Sequence, residues 1–313
     1  LQRNCNMIIA HHPLLFSGLK SISGKNFIER IVMKAIKNDI AIYAIHTNLD
    51  NVKLGVNAKI VERLRLQNPR ILAAAKNTLY KLYTYVPVAH AEQVREAMFK
   101  AGAGNVGDYS ECSYSLNGTG TFKPGVNTDP AIGEPGGKRE EVQETKIEVL
   151  FPTDKKQDVL QAFIEAHPYE EVAYDLVALD NVNQDIGAGM IGELPEIMKQ
   201  DKFLEYVKGT MKATCIRYTP LPGKEIRNVA VCGGSGSFLL KNALAAGADA
   251  FITGDFKYHQ FFDAEGKILI ADIGHYESEQ FTVELIADIL NKKFPNFAVL
   301  LTDLSTNPIN YFC

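Results

Sequence analysis

Along this chain, short apolar blocks alternate with stretches whose apolar residues recur at helical spacing, the pattern of strands followed by covering helices. Met7–Ala10 predict a buried strand. The run F-I-E-R-I-V-M-K-A-I-K-N predicts a helix that Asn38-Asp39 ends. Residues 40–45 predict a second strand, and residues 56–66 a helix that covers the sheet. From about Asn77 the order changes: strand at 80–87, helix at 91–100 closed by Gly102, strand at 109–117, Gly/Pro-rich loop at 122–138, strand at 145–151, helix at 155–166 and strand at 172–179. That βαββαβ order is the ferredoxin-like arrangement. We therefore expect residues 1–76 to form a first α/β half, 77–180 an inserted ferredoxin-like α+β domain, and 181–313 a second α/β half.

In the last segment, a strand at 229–232 leads into Gly233-Gly234-Ser235-Gly236-Ser237 and a helix at 238–246. Such a turn can hold an anion on its backbone N–H groups, so Gly234, Ser235, Gly236 and Ser237 are candidates for a phosphate contact. A tight turn without a ligand explains the run equally well. A dinucleotide fingerprint is the rival, since Gly234-x-Gly236 is followed about twenty residues later by Asp255. Leu239 stands where its third glycine belongs, and that reading leaves the histidines unexplained. Strands at 250–253 and 268–271 follow, then an amphipathic helix from about 278 to 292.

The polar chemistry sits where these strands end, at the edge where open α/β sheets bind ligands. His11 and His12 close the first strand. Consecutive side chains leaving a strand diverge, so the pair suits two neighbouring ions better than one, although two histidines capping a strand and bonding loop carbonyls is the plainer reading. His46 to Asp50 close the second strand, one strand-helix-strand unit later, which brings Asp50 near the pair, where it acts as a bridging ligand or a helix N-cap. We expect His46 to pack beside the site. Gly254-Asp255 and Gly274-His275 end the later strands. With helix from Tyr276, His275 and Glu279 share one face at i and i+4. Two similar α/β halves in three layers, facing across a cleft, would thus supply His11, His12, Asp50, His275 and Glu279. That donor set suits two divalent ions, Zn, Fe or Mn, with water completing the shell. His259 and Asp255 are candidate proton carriers, His259 also a phosphate contact or a plain surface histidine. His167, in H-P-Y-E-E, reads as a helix end stopped by Pro168.

Composition narrows the setting. At 313 residues, two or three domains are expected, and 46% hydrophobic with 22% charged residues is ordinary for a soluble globular protein. A net charge of -4 offers no electrostatic case for nucleic acid, and no segment is long and apolar enough for a membrane span. Cys5, Cys112, Cys215, Cys232 and Cys313 are widely spaced, with no C-x-x-C pair, which points to a reducing cytoplasm. The chain opens on Leu1 without an initiator methionine, so we expect residues before it in the natural protein.

The stretches I-I-A-H-H-P-L-L-F, Y-A-I-H-T-N-L-D, G-S-G-S, T-G-D-F-K-Y-H and G-H-Y-E-S-E, in this order, resemble the NIF-three-like dinuclear metal-centre family, also called GTP cyclohydrolase I type 2-like. The resemblance spans nearly the whole chain. It implies that His11, His12, Asp50, His275 and Glu279 are metal ligands, with a carboxylate bridging the ions. It also implies a toroidal homohexamer and a CutA-like insert. The activity we expect is metal-dependent hydrolysis of a nucleotide or small phosphorylated substrate. The alternative is a metal-binding or regulatory assembly protein without turnover.

Overall fold

The computed structural model of the chain describes residues 2–220 and 223–312; Leu1 and Cys313 lie outside them. The chain packs as two compact units, one of residues 1–74 and 184–313 and a second of residues 75–183.

The first unit opens with β1 (Met7–Ala10), α1 (Phe27–Lys37), β2 (Ala41–Ala44), the single turn α2 (Thr47–Asp50), α3 (Val56–Arg63) and β3 (Gln67–Ala75). Asn26 caps α1 by accepting the Glu29 N–H, and the Glu29 carboxylate takes the Asn26 side-chain amide in return, a reciprocal arrangement that stops fraying. β1 and β2 pair in parallel as a two-stranded sheet. Their ladder runs on past the strand ends, with His46 N–H donating to the His11 carbonyl at 2.8 Å, so the two polar ends lie side by side.

The second unit contains β4 (Leu79–Pro87), α4 (Ala91–Lys100), β5 (Ser113–Phe122), β6 (Glu140–Pro152), α5 (Lys156–Ala166) and β7 (Tyr174–Leu179). Its strands lie in the order β5-β6-β4-β7, and every neighbour is antiparallel. Alternate residues of β6 set the two faces of this sheet. Ile147, Val149 and Phe151 are buried in one core with Met98 of α4 and Phe163 of α5, while Glu144, Lys146 and Glu148 point the other way.

The chain then returns to the first unit as β8 (Asn183–Lys199), α6 (Gln200–Thr210), β9 (Arg217–Tyr218), β10 (Glu225–Ser235), α7 (Leu240–Ala245), β11 (Ala250–Gly254), β12 (Leu269–Asp272), α8 (His275–Glu279) and α9 (Thr282–Lys293). Six strands form one sheet in the order β3-β8-β10-β11-β12-β9. β10, β11 and β12 are parallel and buried on both faces, as parallel strands usually are. Val229, Val231 and Ile252 pack with Ile60 of α3 and Phe203 of α6, while Ala230, Phe251 and Ile270 pack on the opposite side with Leu240 of α7. No helix among the described residues is long and apolar enough to cross a membrane.

This layout differs from the expected pair of similar halves, since the N-terminal sheet has two strands and the other six, and both belong to one unit. β3 and β8 are additions that the hydrophobic pattern does not predict. β8 carries Gly187, Gly189 and Gly192, residues that weaken a strand prediction. Here glycine is needed because β3 presses close: a Cβ on Gly187 would stand 2.3 Å from the Ala73 carbonyl oxygen.

His167 follows α5 as its C-cap and is buried. Its Nδ1 accepts the Tyr169 N–H, so the neutral ring carries its proton on Nε2 and donates to the Tyr85 carbonyl at 3.1 Å. Burial lowers its pKa below the ordinary 6.5. The folded chain therefore binds fewer protons here than the unfolded chain, and this contribution to stability, intact above pH 6.5, is lost as pH falls through the folded-state pKa. Urea midpoints should fall more steeply from pH 7 toward pH 5 in the wild type than in His167→Gln; equal slopes would refute this linkage.

Candidate metal centre

Three separate stretches of the first unit converge on one carboxylate. Glu279, at the end of α8, is almost fully buried, with its Oε2 3.2 Å from His12 Nε2, 3.3 Å from His275 Nε2 and 3.7 Å from His11 Nε2. Asp50 joins from α2, its Oδ1 3.3 Å from His11 Nε2. The Nε2 atoms of His12 and His275 stand 3.2 Å apart. All five predicted ligands are thus brought together, and His11, His12 and Glu279 each offer a ligand atom within 4.8 Å of the others. The His46 ring packs 5.6 Å from that of His12 and 6.0 Å from that of His11, beside the site as expected.

The local backbone explains how this convergence is reached. The short turn α2 is held by Asn57, whose side-chain amide donates to the Asp50 carbonyl and whose Oδ1 accepts the Gly233 N–H. The Gly234 N–H donates to Ser278 Oγ at 2.9 Å, and Ser278 Oγ donates to the His275 carbonyl, which ties the start of α8 to the end of β10. Ser278 lies in the G-H-Y-E-S-E stretch without a role assigned to it there, and Asn57 belongs to none of the motifs. The available signal for Asn57 is a polar residue on the apolar face of α3, beside Val56, Ile60 and Val61.

The Gly-rich run is not the turn that the spacing predicts. Gly233, Gly234 and Ser235 extend β10, with a register break before Ser235, and only Gly236 precedes a 3-10 turn at Ser237–Leu239. Two of its N–H groups are committed to Asn57 and Ser278, and Ser237 Oγ accepts from Gln260, so the run holds protein groups in place. Gly234 has φ +64°, and a Cβ there would lie 2.3 Å from Glu279 Oε1, which is why glycine stands at this position.

Asp255 is also placed differently from a free proton carrier. It takes a left-handed φ of 59° at the end of β11 and accepts from His275 Nδ1 at 2.6 Å. That bond puts the proton of a neutral His275 on Nδ1 and turns the bare Nε2 toward Glu279, the usual way a carboxylate orients a metal-ligating imidazole. His259 lies exposed in a 3-10 segment, Tyr258–Ala264, with its ring against Tyr258. No contact joins it to the cluster among the described residues.

Electrostatics make the centre a place for positive charge. Facing Glu279, against the effect of burial and with Asp255 behind it, pushes His275 up to about 9. Burial disfavours the His11 cation, yet Glu279 and Asp50 outweigh it and raise that pKa too. Burial alone would favour protonated Glu279, but the three imidazoles hold its carboxyl well below the usual range. Burial raises Asp50, and it pushes the neighbouring Cys232 thiol up to about 12. His11 Nδ1, His11 Nε2, Asp50 Oδ1 and Glu279 Oε2 are all buried without a well-formed hydrogen bond. Buried polar atoms are seldom left so, and four in one cluster have the chemistry to hold a cation.

Comparison with known proteins gives the family. Residues 1–308 match the family model described as Duf34/NIF3 (NGG1p interacting factor 3). The chain belongs to the DUF34/NIF3 family. It is 40% identical to a GTP cyclohydrolase 1 type 2 homolog of Halalkalibacterium halodurans, over 99% of this chain and 85% of the relative. A homolog of the same name from Bacillus subtilis is 38% identical, over 99% and 84% of the two chains. The crystal structure of a Bacillus cereus protein related to NIF3 superposes with a TM-score of 0.84 at 40% identity, covering 99% of this chain and 84% of that one. The mixed α/β architecture is therefore that of a NIF3 protein.

Within this DUF34/NIF3 site, Gly234→Ala should destabilise the protein by about 1–3 kcal/mol, because the new Cβ meets Glu279 on strained backbone. Urea denaturation measures it; a variant as stable as the wild type would show that this close approach does not hold Glu279.

Proposed function

We propose that the centre holds two divalent metal ions, Zn, Fe or Mn, and that the protein is a metal-dependent hydrolase of a nucleotide or another small phosphorylated molecule. The observation that carries this reading is the convergence of buried ligand atoms from His11, Asp50 and Glu279 that lack a well-formed hydrogen bond, beside the Nε2 atoms of His12 and His275. These five residues would hold the ions, and Glu279 Oε2 faces all three imidazoles. The chemistry such ions would supply is a bound water of lowered pKa and polarisation of a phosphoryl or carbon centre.

The chain's own groups supply the rest. Asp255 orients His275, and with its side chain 49% exposed it can pass protons between the site and solvent. His12 is also open on this side, with 43% of its side chain exposed, whereas His11 and Glu279 are enclosed. A substrate therefore has an approach, which favours turnover over metal storage in a closed cage. Exposed His259, on the segment after Asp255, and Ser235 to Ser237 are the groups we assign to a substrate phosphate. The relatives' name makes ring opening of GTP one candidate reaction.

The same reading places the two sheets of the first unit on either side of the cleft, and takes residues 75–183 as an inserted ferredoxin-like, CutA-like domain, on the strength of its strand order. A homohexamer in the cytoplasm completes the proposal, by family resemblance.

Elemental analysis should find about two divalent ions per chain, lost from a His11→Ala, His12→Ala double variant. Asp255→Asn should retain at least part of that metal while turnover of nucleotides or phosphoesters drops by about 10- to 100-fold. Absence of stoichiometric metal after reconstitution would overturn the reading.

A further inference from the structure

The second unit has a cavity of its own, of about 640 Å³, on the face of its sheet opposite the helices. That volume lies in the range of small-molecule sites. Gly118 and Gly120 of β5 leave its floor without side chains, and Tyr85, Phe122 and Tyr169 supply aromatic walls. The rings of Phe122 and Tyr169 are 5.7 Å apart. Its central polar group is Glu144, which is 9% exposed and pairs with Gly118 across the β5-β6 ladder.

The Glu144 carboxylate is half used. Tyr169 O–H donates to Oε1 at 2.9 Å, and His167 fixes Tyr169 by accepting its backbone N–H. Burial and the neighbouring carboxylate raise the Tyr169 pKa, so the phenol stays a donor at neutral pH. Oε2 points over Gly120, where a Cβ would be only 2.0 Å away. Among the described residues, Oε2 has no hydrogen-bond partner, and Lys146, on the same face, pairs with Glu148 at 2.9 Å. Lys123 and Lys146 also line the cavity, and the Glu144 oxygen that opens onto it keeps acceptor capacity that suits N–H donors from a ligand.

We propose that this cavity binds a planar heterocycle that presents adjacent N–H donors to Glu144, the edge that guanine carries. The ring lies along the strip that Gly118 and Gly120 leave open and stacks beside the aromatic walls, while N1–H and the 2-amino group share the carboxylate. Adenine, which lacks this donor pair, is refused, and hypoxanthine, with N1–H alone, binds more weakly.

Calorimetric titration of the full chain with guanosine, inosine and adenosine tests this. The expected order is guanosine above inosine above adenosine, with a loss of about tenfold or more for guanosine in Glu144→Gln. Gly118→Val is the independent variant. A Cβ at Gly118 meets open space, so the fold tolerates it while the cavity is blocked, and guanosine binding should vanish. The His11→Ala, His12→Ala protein should bind guanosine unchanged, which separates this site from the metal centre. No saturable binding, no preference for guanosine, or binding that survives both Glu144→Gln and Gly118→Val would overturn the proposal.

Discussion

A carboxylate taken out of water loses several kcal/mol of hydration, and the first unit is arranged around one whose side chain is only 9% exposed, Glu279. Such a group is tolerated only where positive charge or strong donors surround it. Three imidazoles from two distant segments do so, and they come with a second acid, Asp50, rather than with lysine or arginine. The result is a donor set whose charge balance depends on protons or a cation. The same electrostatics that raise His11 and His275 would favour a metal in their place.

The cluster is held by backbone pairing together with the side chains of Asn57, Ser278 and Asp255. Parallel pairing of β1 with β2 sets His11 and His12 beside His46 and Asp50, while the ends of β10 and β11 receive the first turn of α8. Close approach is the recurring condition. A Cβ on Gly234 would meet Glu279, and one on Gly254 would lie 2.7 Å from the His275 backbone nitrogen. Glycines are thus used where helix and strand ends must almost touch.

The second unit handles a buried carboxylate in another way. Glu144 has a neutral phenol on one oxygen and an open cavity before the other, and the neutral imidazole of His167 fixes the phenol. Glu279 faces groups that welcome a cation; Glu144 faces a cleft that welcomes N–H donors.

What the chain determined by itself is local. Hydrophobic spacing marks α1, α4, α5 and β6 within a few residues through an apolar stripe, and short apolar runs mark β1, β2, β11 and β12. The histidines and acids are legible as well, because His11 and His12 follow β1, and Asp50, His275 and Glu279 lie in the single helical turns that follow β2 and β12. What only the tertiary structure decided depends on contact between distant segments. β8 is a strand because β3 lies against its glycines; Gly233 and Gly234 give their N–H groups to Asn57 and Ser278 rather than to an open loop; Asp255 belongs to His275. None of these carries a periodic signal, since the partner that selects each conformation lies far away in the chain and is brought near only by folding.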